Sequence, residues 1–96
     1  MDRLKSIEIF IEVARVGSFT SAAKRFNMSA EMVGRYISSL EERLGIQLLQ
    51  RSTRRLVLTE SGSAYVDGCQ DILRHMKDLE DELQLNLSAP SGTIRV

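Results

Sequence analysis

The stretch FTSAAKRFNMSAEMVGRYISSLEERLG, residues 19–45, holds two helix-forming runs separated only by Asn27, Met28 and Ser29. That spacing argues against a simple helical bundle, which uses longer helices and longer connections. Asn27 tolerates left-handed backbone angles, and Ser29 is a good N-cap for the second run. The spacing therefore predicts a second helix over 19–26, opened by Ser18, and a third over 30–43, opened by Ser29 and stopped by Gly45. Two short helices fixed at an angle by a tight turn suit a chain that pushes the start of one helix into a groove while the other braces it.

The flanking segments extend the pattern. Leu4, Ile7, Phe10, Ile11 and Ala14 follow the three-and-four spacing of a buried stripe, predicting a first helix over 3–16, capped by Asp2 and ended by Gly17. Ala22 and Ala23 leave room for another helix to approach, and Phe26 closes that inner face. In the third helix Val33, Ile37, Leu40 and Leu44 line one side, and Glu31, Arg35, Ser38 and Glu42 the other. Residues 46–59, IQLLQRSTRRLVLT, flank a polar centre at Ser52–Arg55 with Leu48, Leu49, Leu56, Val57 and Leu58. They read as two short strands around a turn, a small wing.

Thr59 then caps a fourth helix over 60–87, on the order of 40 Å long at 1.5 Å per residue. Within it Tyr65, Cys69, Ile72, Met76, Leu79, Leu83 and Asn86 alternate spacings of four and three. Such a heptad seam serves a purpose only if something packs on it. Residues 88–92, SAPSG, read as a hinge, and TIRV after them as the first strand of a further domain. The expected fold class is mainly α: a winged helix-turn-helix over 1–59, built of three helices plus a short β-hairpin wing, followed by a long dimerisation helix over 60–87 and a hinge with strand stub over 88–96.

With 96 residues the chain buries only a modest core, so oligomerisation is an expected source of stability. Its formal net charge of zero hides an asymmetry. Residues 1–62 carry ten Lys/Arg against seven Asp/Glu, and residues 63–96 carry three against six. From Arg43 to Arg55 there are four arginines and no acid. Overall neutrality thus does not argue against a polyanionic partner, because binding responds to the local field. No apolar run reaches the roughly 20 residues of a membrane span. A lone cysteine, Cys69, cannot form an internal disulfide, which suits a cytoplasmic setting.

Nothing in the sequence assembles a catalytic site. There is no nucleophile with a base, no phosphate loop and no acidic pair in an apolar setting. The single histidine, His75, lacks companions for a metal and reads as a solvated helix position. Cys69 reads as a small seam residue and Met76 as core filler. No cofactor is expected. Ser18, Thr20 and Ser21, at a helix N-terminus, suit a phosphate. Arg35 points away from the apolar stripe and can meet phosphate or guanine, or merely pair with Glu31 one turn earlier, a contact worth only ~0.3 kcal/mol. Arg51, Arg54 and Arg55 on the wing suit phosphate or the minor groove; the plain alternatives are a solvated charge cluster or, for Arg51, a tie between wing and third helix.

Taken together, Phe10, Gly17-Ser18-Phe19, Ala22-Ala23, Ser29, Arg35, Ile37, Leu40-Glu41, Leu44-Gly45, Leu48, Arg51, Arg54, Leu58-Thr59 and Gly62 stand in register over about 60 residues. In these the chain resembles the N-terminal DNA-binding domain of LysR-type transcriptional regulators. The resemblance implies a bacterial regulator that binds double-stranded DNA as a homodimer through Tyr65, Cys69, Ile72, Met76, Leu79 and Leu83. It implies DNA contacts at Ser18, Thr20, Ser29, Ala30, Glu31, Gly34, Arg35 and Ser38, and on the wing at Arg51, Thr53, Arg54 and Arg55. It also implies an effector-binding domain after the hinge, where a small molecule would bind, and tetramers of the full-length protein on interrupted inverted repeats. The chain departs from the family at Ala30 and Glu31, where Gln and then Pro or Ser are common, and at Gly34, Tyr36 and Leu49. Ala30 can touch a thymine methyl and Glu31 can accept from a cytosine amine. The rival reading is a winged-helix protein-interaction module, favoured if Glu31 and the acidic fourth helix dominate the field.

Overall fold

Local capping sets where each helix begins and ends. The computed structural model describes residues 2–51 and 56–88. Helix α1 (Arg3–Val16) starts where the Asp2 carboxylate accepts from the Leu4 N–H and stops at Gly17, whose φ of 71° is left-handed. Helix α2 (Phe19–Phe26) is capped by Ser18, whose hydroxyl accepts from the Ser21 N–H, and ends at left-handed Asn27, φ 55°. Helix α3 (Ala30–Leu44) is capped by Ser29 and closed by Gly45 at φ 70°. Strands β1 (Leu49–Arg51) and β2 (Leu56–Leu58) form an antiparallel pair with Gln50 opposite Val57. Helix α4 (Glu60–Ser88) comes directly after. The three-residue turn between α2 and α3 and the caps at Asp2, Ser18, Ser29 and Thr59 lie where the residue order predicts them.

The core is a three-helix wedge closed by the start of the wing. Ile9, Phe10 and Val13 of α1 meet Ala22 and Ala23 of α2, Val33, Ile37 and Leu40 of α3, and Leu48 and Leu49. Full burial of one Leu, Ile or Phe is worth about 1.5–3 kcal/mol, whereas an exposed ion pair contributes roughly 0–1. Apolar packing therefore fixes the angle between α2 and α3. The stripe expected on α1 is displaced. Leu4 is 43% exposed, and Ile7, Ile11 and Ala14 are only half-buried, while Ser6, Ile9, Phe10, Glu12 and Val13 are buried. The reason is that α1 is apolar around most of its girth, so two stripes compete and only the packing of α2 and α3 chooses between them. The buried Ser6 hydroxyl is satisfied by donating to the Asp2 carbonyl at 3.0 Å. Leu44, expected on the inner face of α3, is instead exposed, because the last helical turn runs past the end of the core.

Leu48 joins α3, the wing and α4. One Glu41 carboxylate oxygen accepts from the Leu48 N–H at 2.8 Å and the Leu49 N–H at 3.1 Å. The Leu48 carbonyl accepts from the Thr59 N–H at 2.9 Å. The Thr59 hydroxyl donates to the Gln47 carbonyl at 2.7 Å and accepts from the Gly62 N–H at 2.9 Å, so one side chain both caps α4 and ties it to the entry of β1. Gly62 then passes so close to β1 that a Cβ there would overlap the Leu48 carbonyl oxygen and lie 2.9 Å from its carbon.

A second tie lies on the outer edge of α1. The Glu12 side chain is 4% exposed, covered by two guanidiniums: Arg15 at 2.6 Å and Arg25, from α2, at 2.7 Å. The Arg15 hydrogen bond holds the Glu12 carboxyl below its ordinary 4.5, helped by Arg25 and opposed by burial. Both arginines are mostly exposed, so the stabilisation is modest.

These ties can be tested by substitution. Gly62→Ala would ordinarily strengthen a helix by about 0.5–1 kcal/mol, but here the new methyl meets rigid backbone, and we expect a net loss of about 2 kcal/mol or more. The control is Gly68→Ala, where a Cβ meets nothing within 4 Å and helix propensity alone predicts a rise in the urea midpoint. Glu12 binds protons less readily folded than unfolded, so its contribution is complete above 4.5 and disappears as pH falls through the lower folded value. Urea melts should show Glu12→Gln to be less stable than wild type at neutral pH, with the difference closing in acid; a difference independent of pH would refute the pairing.

Candidate nucleic-acid interface

The outer face of α3 is open. Glu31, Arg35, Ser38 and Glu42, at helical spacings of four, three and four, are exposed, opposite the buried Val33, Ile37 and Leu40. Among the described residues neither Glu31 nor Arg35 has an ion-pair partner. The plain alternative for Arg35, a pair with Glu31, is therefore not the arrangement found. Arg35 presents five donors in a planar fork on an unobstructed helix face, the geometry that suits phosphate or the guanine edge.

The N-terminal end of α2 lies alongside. Phe19 reaches across to α3 so closely that a Cβ on Gly34 would sit 3.4 Å from its ring. Ser18 and Thr20 flank Phe19 in the chain. Thr20 is exposed, and Lys24, one turn later on the same stripe, is exposed with no ion-pair partner among the described residues. Lys24 is an exposed cation that sequence reasoning did not single out; its i+4 spacing from Thr20 was the available signal. The first turns of α2 and α3 each carry the partial positive charge of a helix N-terminus.

The other sequence candidates differ in what they offer. Ser18 and Ser29 serve first as caps, accepting from the Ser21 N–H at 3.2 Å and the Met32 N–H at 3.1 Å, which leaves each hydroxyl hydrogen as a donor. Ala30 and Gly34 are half-buried. The backbone of Arg51 lies in β1, while its side chain, and all of Thr53, Arg54 and Arg55, are outside the described residues. Met32, which sequence reasoning also passed over, is 39% exposed in the first turn of α3.

Helix α4 has a rooted end and a bare one. The Tyr65 ring lies 5.9 Å from that of Phe10, and Cys69 is buried. Burial, with Cys69 beside it, pushes the Tyr65 phenol up, opposed by Arg43. Burial likewise raises the Cys69 thiol, opposed by its hydrogen bond with Tyr65, which makes it a poor nucleophile. Beyond that point Ile72, Met76, Leu79 and Leu83 are 38% to 58% exposed along one face. No helix among the described residues is long and apolar enough to cross a membrane.

Known proteins share this arrangement. Residues 4–63 match the family described as bacterial regulatory helix-turn-helix protein, lysR family. The chain is 40% identical, over all its 96 residues, to the HTH-type transcriptional activator AaeR of Escherichia coli (strain K12), covering 31% of that protein. It is 39% identical over 92 residues, 96% of this chain, to the HTH-type transcriptional regulator CrgA of Neisseria meningitidis serogroup C (strain 8013), again covering 31%. It thus spans about a third of the length of these curated relatives. Among solved structures, a BenM DNA-binding domain in complex with catB site 1 DNA superposes with a TM-score of 0.85 at 29% identity, over 93% of this chain and 98% of that one. A CbnR DNA-binding domain in complex with DNA gives 0.80 at 33% identity, over 88% and 97%. With its capped helix pair, its hairpin and its long following helix, this chain belongs to the LysR family of bacterial transcriptional regulators, as a winged helix-turn-helix DNA-binding domain.

Proposed function

We propose that the chain binds double-stranded DNA sequence-specifically as a homodimer, on an interrupted inverted repeat. The observation that carries this reading is the exposed outer face of α3, with Arg35 on it unpaired among the described residues, in a fold whose solved neighbours include protein–DNA complexes. In this reading the first half of α3 enters the major groove, where Glu31 and Arg35 address base edges and Ser38 lies further along the same face. Ser18 and Thr20 at the start of α2, with Lys24 in its last turn, hold phosphate, and Ser29 donates its hydroxyl hydrogen to phosphate. The wing, with Arg51, Thr53, Arg54 and Arg55, lies on the backbone or in the minor groove.

The bare face of α4 supports the dimer. An apolar stripe at Ile72, Met76, Leu79 and Leu83, continuing past the rooted Tyr65 and Cys69, is the surface that a second copy of α4 would cover. Two reading helices held by paired α4 helices would then face successive major grooves on one side of the duplex. In the whole regulator, of which this chain would be about a third, we place a small-molecule effector on another domain and tetramer formation on the full-length protein.

Affinity for duplex should fall linearly with the logarithm of salt concentration, with a slope of about −0.9 per phosphate neutralised. A flat response would favour the protein-interaction reading, for which the acids on α3 and α4 are the only support. Arg35→Ala should weaken binding by about 1–3 kcal/mol and relax preference at one base position if Arg35 reads guanine; if it holds phosphate, all sequences should weaken alike with a shallower salt slope. Leu79→Lys should leave the helix-turn-helix folded and convert dimer to monomer by light scattering, and a variant that remains dimeric removes the α4 interface from the proposal.

A further inference from the structure

The first two turns of α3 hold the base-facing side chains in the DNA-binding reading, on which this inference rests, and the structure narrows the choice among them. The Ser29 hydroxyl oxygen accepts from the Met32 N–H at 3.1 Å, which holds this short side chain against the helix end. Gly34 has no side chain, and a Cβ there would only touch the Phe19 ring, at 3.4 Å. Ala30 is half-buried and offers one methyl. The side chains that project from these turns are Glu31, Met32 and Arg35, all exposed. An ionised Glu only accepts and Arg only donates. Between them they address the hydrogen-bonding edges of the major groove and leave its one apolar feature, the C5 methyl of thymine, without a partner.

We propose that Met32 is a specificity-determining residue that reads a thymine methyl by apolar contact. Its surroundings distinguish it from Met28: that residue, in the turn before α3, packs against the core, whereas Met32 is 39% exposed. It sits next to Glu31 and three residues before Arg35, and its backbone is anchored by the Ser29 cap, so the side chain leaves the helix from a fixed point. An unbranched thioether with three rotatable bonds conforms to a methyl group better than the short Ala30 side chain. A lone exposed apolar residue is ordinary on most surfaces; on a helix turn directed into a groove it has a matching target.

The test uses the 96-residue chain and duplex sites that it selects from a random pool. Each thymine is replaced in turn by deoxyuridine, which removes only the C5 methyl. Loss of one buried methyl corresponds to about a fourfold drop in affinity, expected at one thymine per half-site. Met32→Ala, an exposed helical position where alanine is well tolerated, should bind the unmodified site about fourfold more weakly. It should be insensitive to deoxyuridine at that thymine, with an unchanged salt slope. The assignment is overturned if the variant remains as sensitive as wild type to that replacement, if no replacement weakens wild type, or if the selected half-sites contain no thymine. A wild-type chain that binds no duplex at all would instead overturn the DNA-binding reading itself.

Discussion

Leu48 is the point at which α3, the wing and the long helix are made into one body. Its side chain is 1% exposed, its N–H is held by Glu41 of α3, and its carbonyl by Thr59 at the start of α4. Chain polar groups that enter a core must find partners, and here the partners come from the two elements whose relative placement matters. The absent side chain of Gly62 lets α4 lie against this backbone. All three elements therefore meet at one residue.

That arrangement separates the molecule into inward and outward chemistry. The inward faces of α1, α2 and α3 are small or apolar, with Ala22 and Ala23 allowing close approach, while the outward faces carry the ionisable groups. Sequence charge overstates the positive field, because Arg15 and Arg25 are tied to the buried Glu12. Arg35 and Lys24 are left on the exposed stripes of α3 and α2. Helix α4 repeats the division along its length: its first turns are anchored by Tyr65 against Phe10, and its later turns carry apolar side chains that the protomer does not cover.

Much of this was legible from residue order, for a physical reason. Caps, left-handed helix ends and the α2–α3 turn depend on hydrogen bonds within a few residues, so Asp2, Gly17, Ser18, Asn27, Ser29, Gly45 and Thr59 declare themselves locally. The outer stripe of α3 was legible too, because its polar residues contrast with Val33, Ile37 and Leu40. The face of α1 was not, since Ile7, Ile9, Phe10, Ile11 and Val13 offer apolar side chains in several directions and periodicity cannot rank them. Residue order also passes over Met32, because only the folded chain shows that its side chain stays exposed in the first turn of α3.

The sequence by itself determined the element boundaries, the fold class and the family, all of which rest on local hydrogen bonding and on residue types in register. Only the tertiary structure decided which apolar face of α1 is buried, why Gly62 can carry no side chain, that Glu12 is shielded by two arginines, and that Tyr65 and Cys69 serve the protomer's own interior. Each of these depends on atoms distant in the chain arriving within a few ångströms of one another, and no spacing along a sequence encodes that distance.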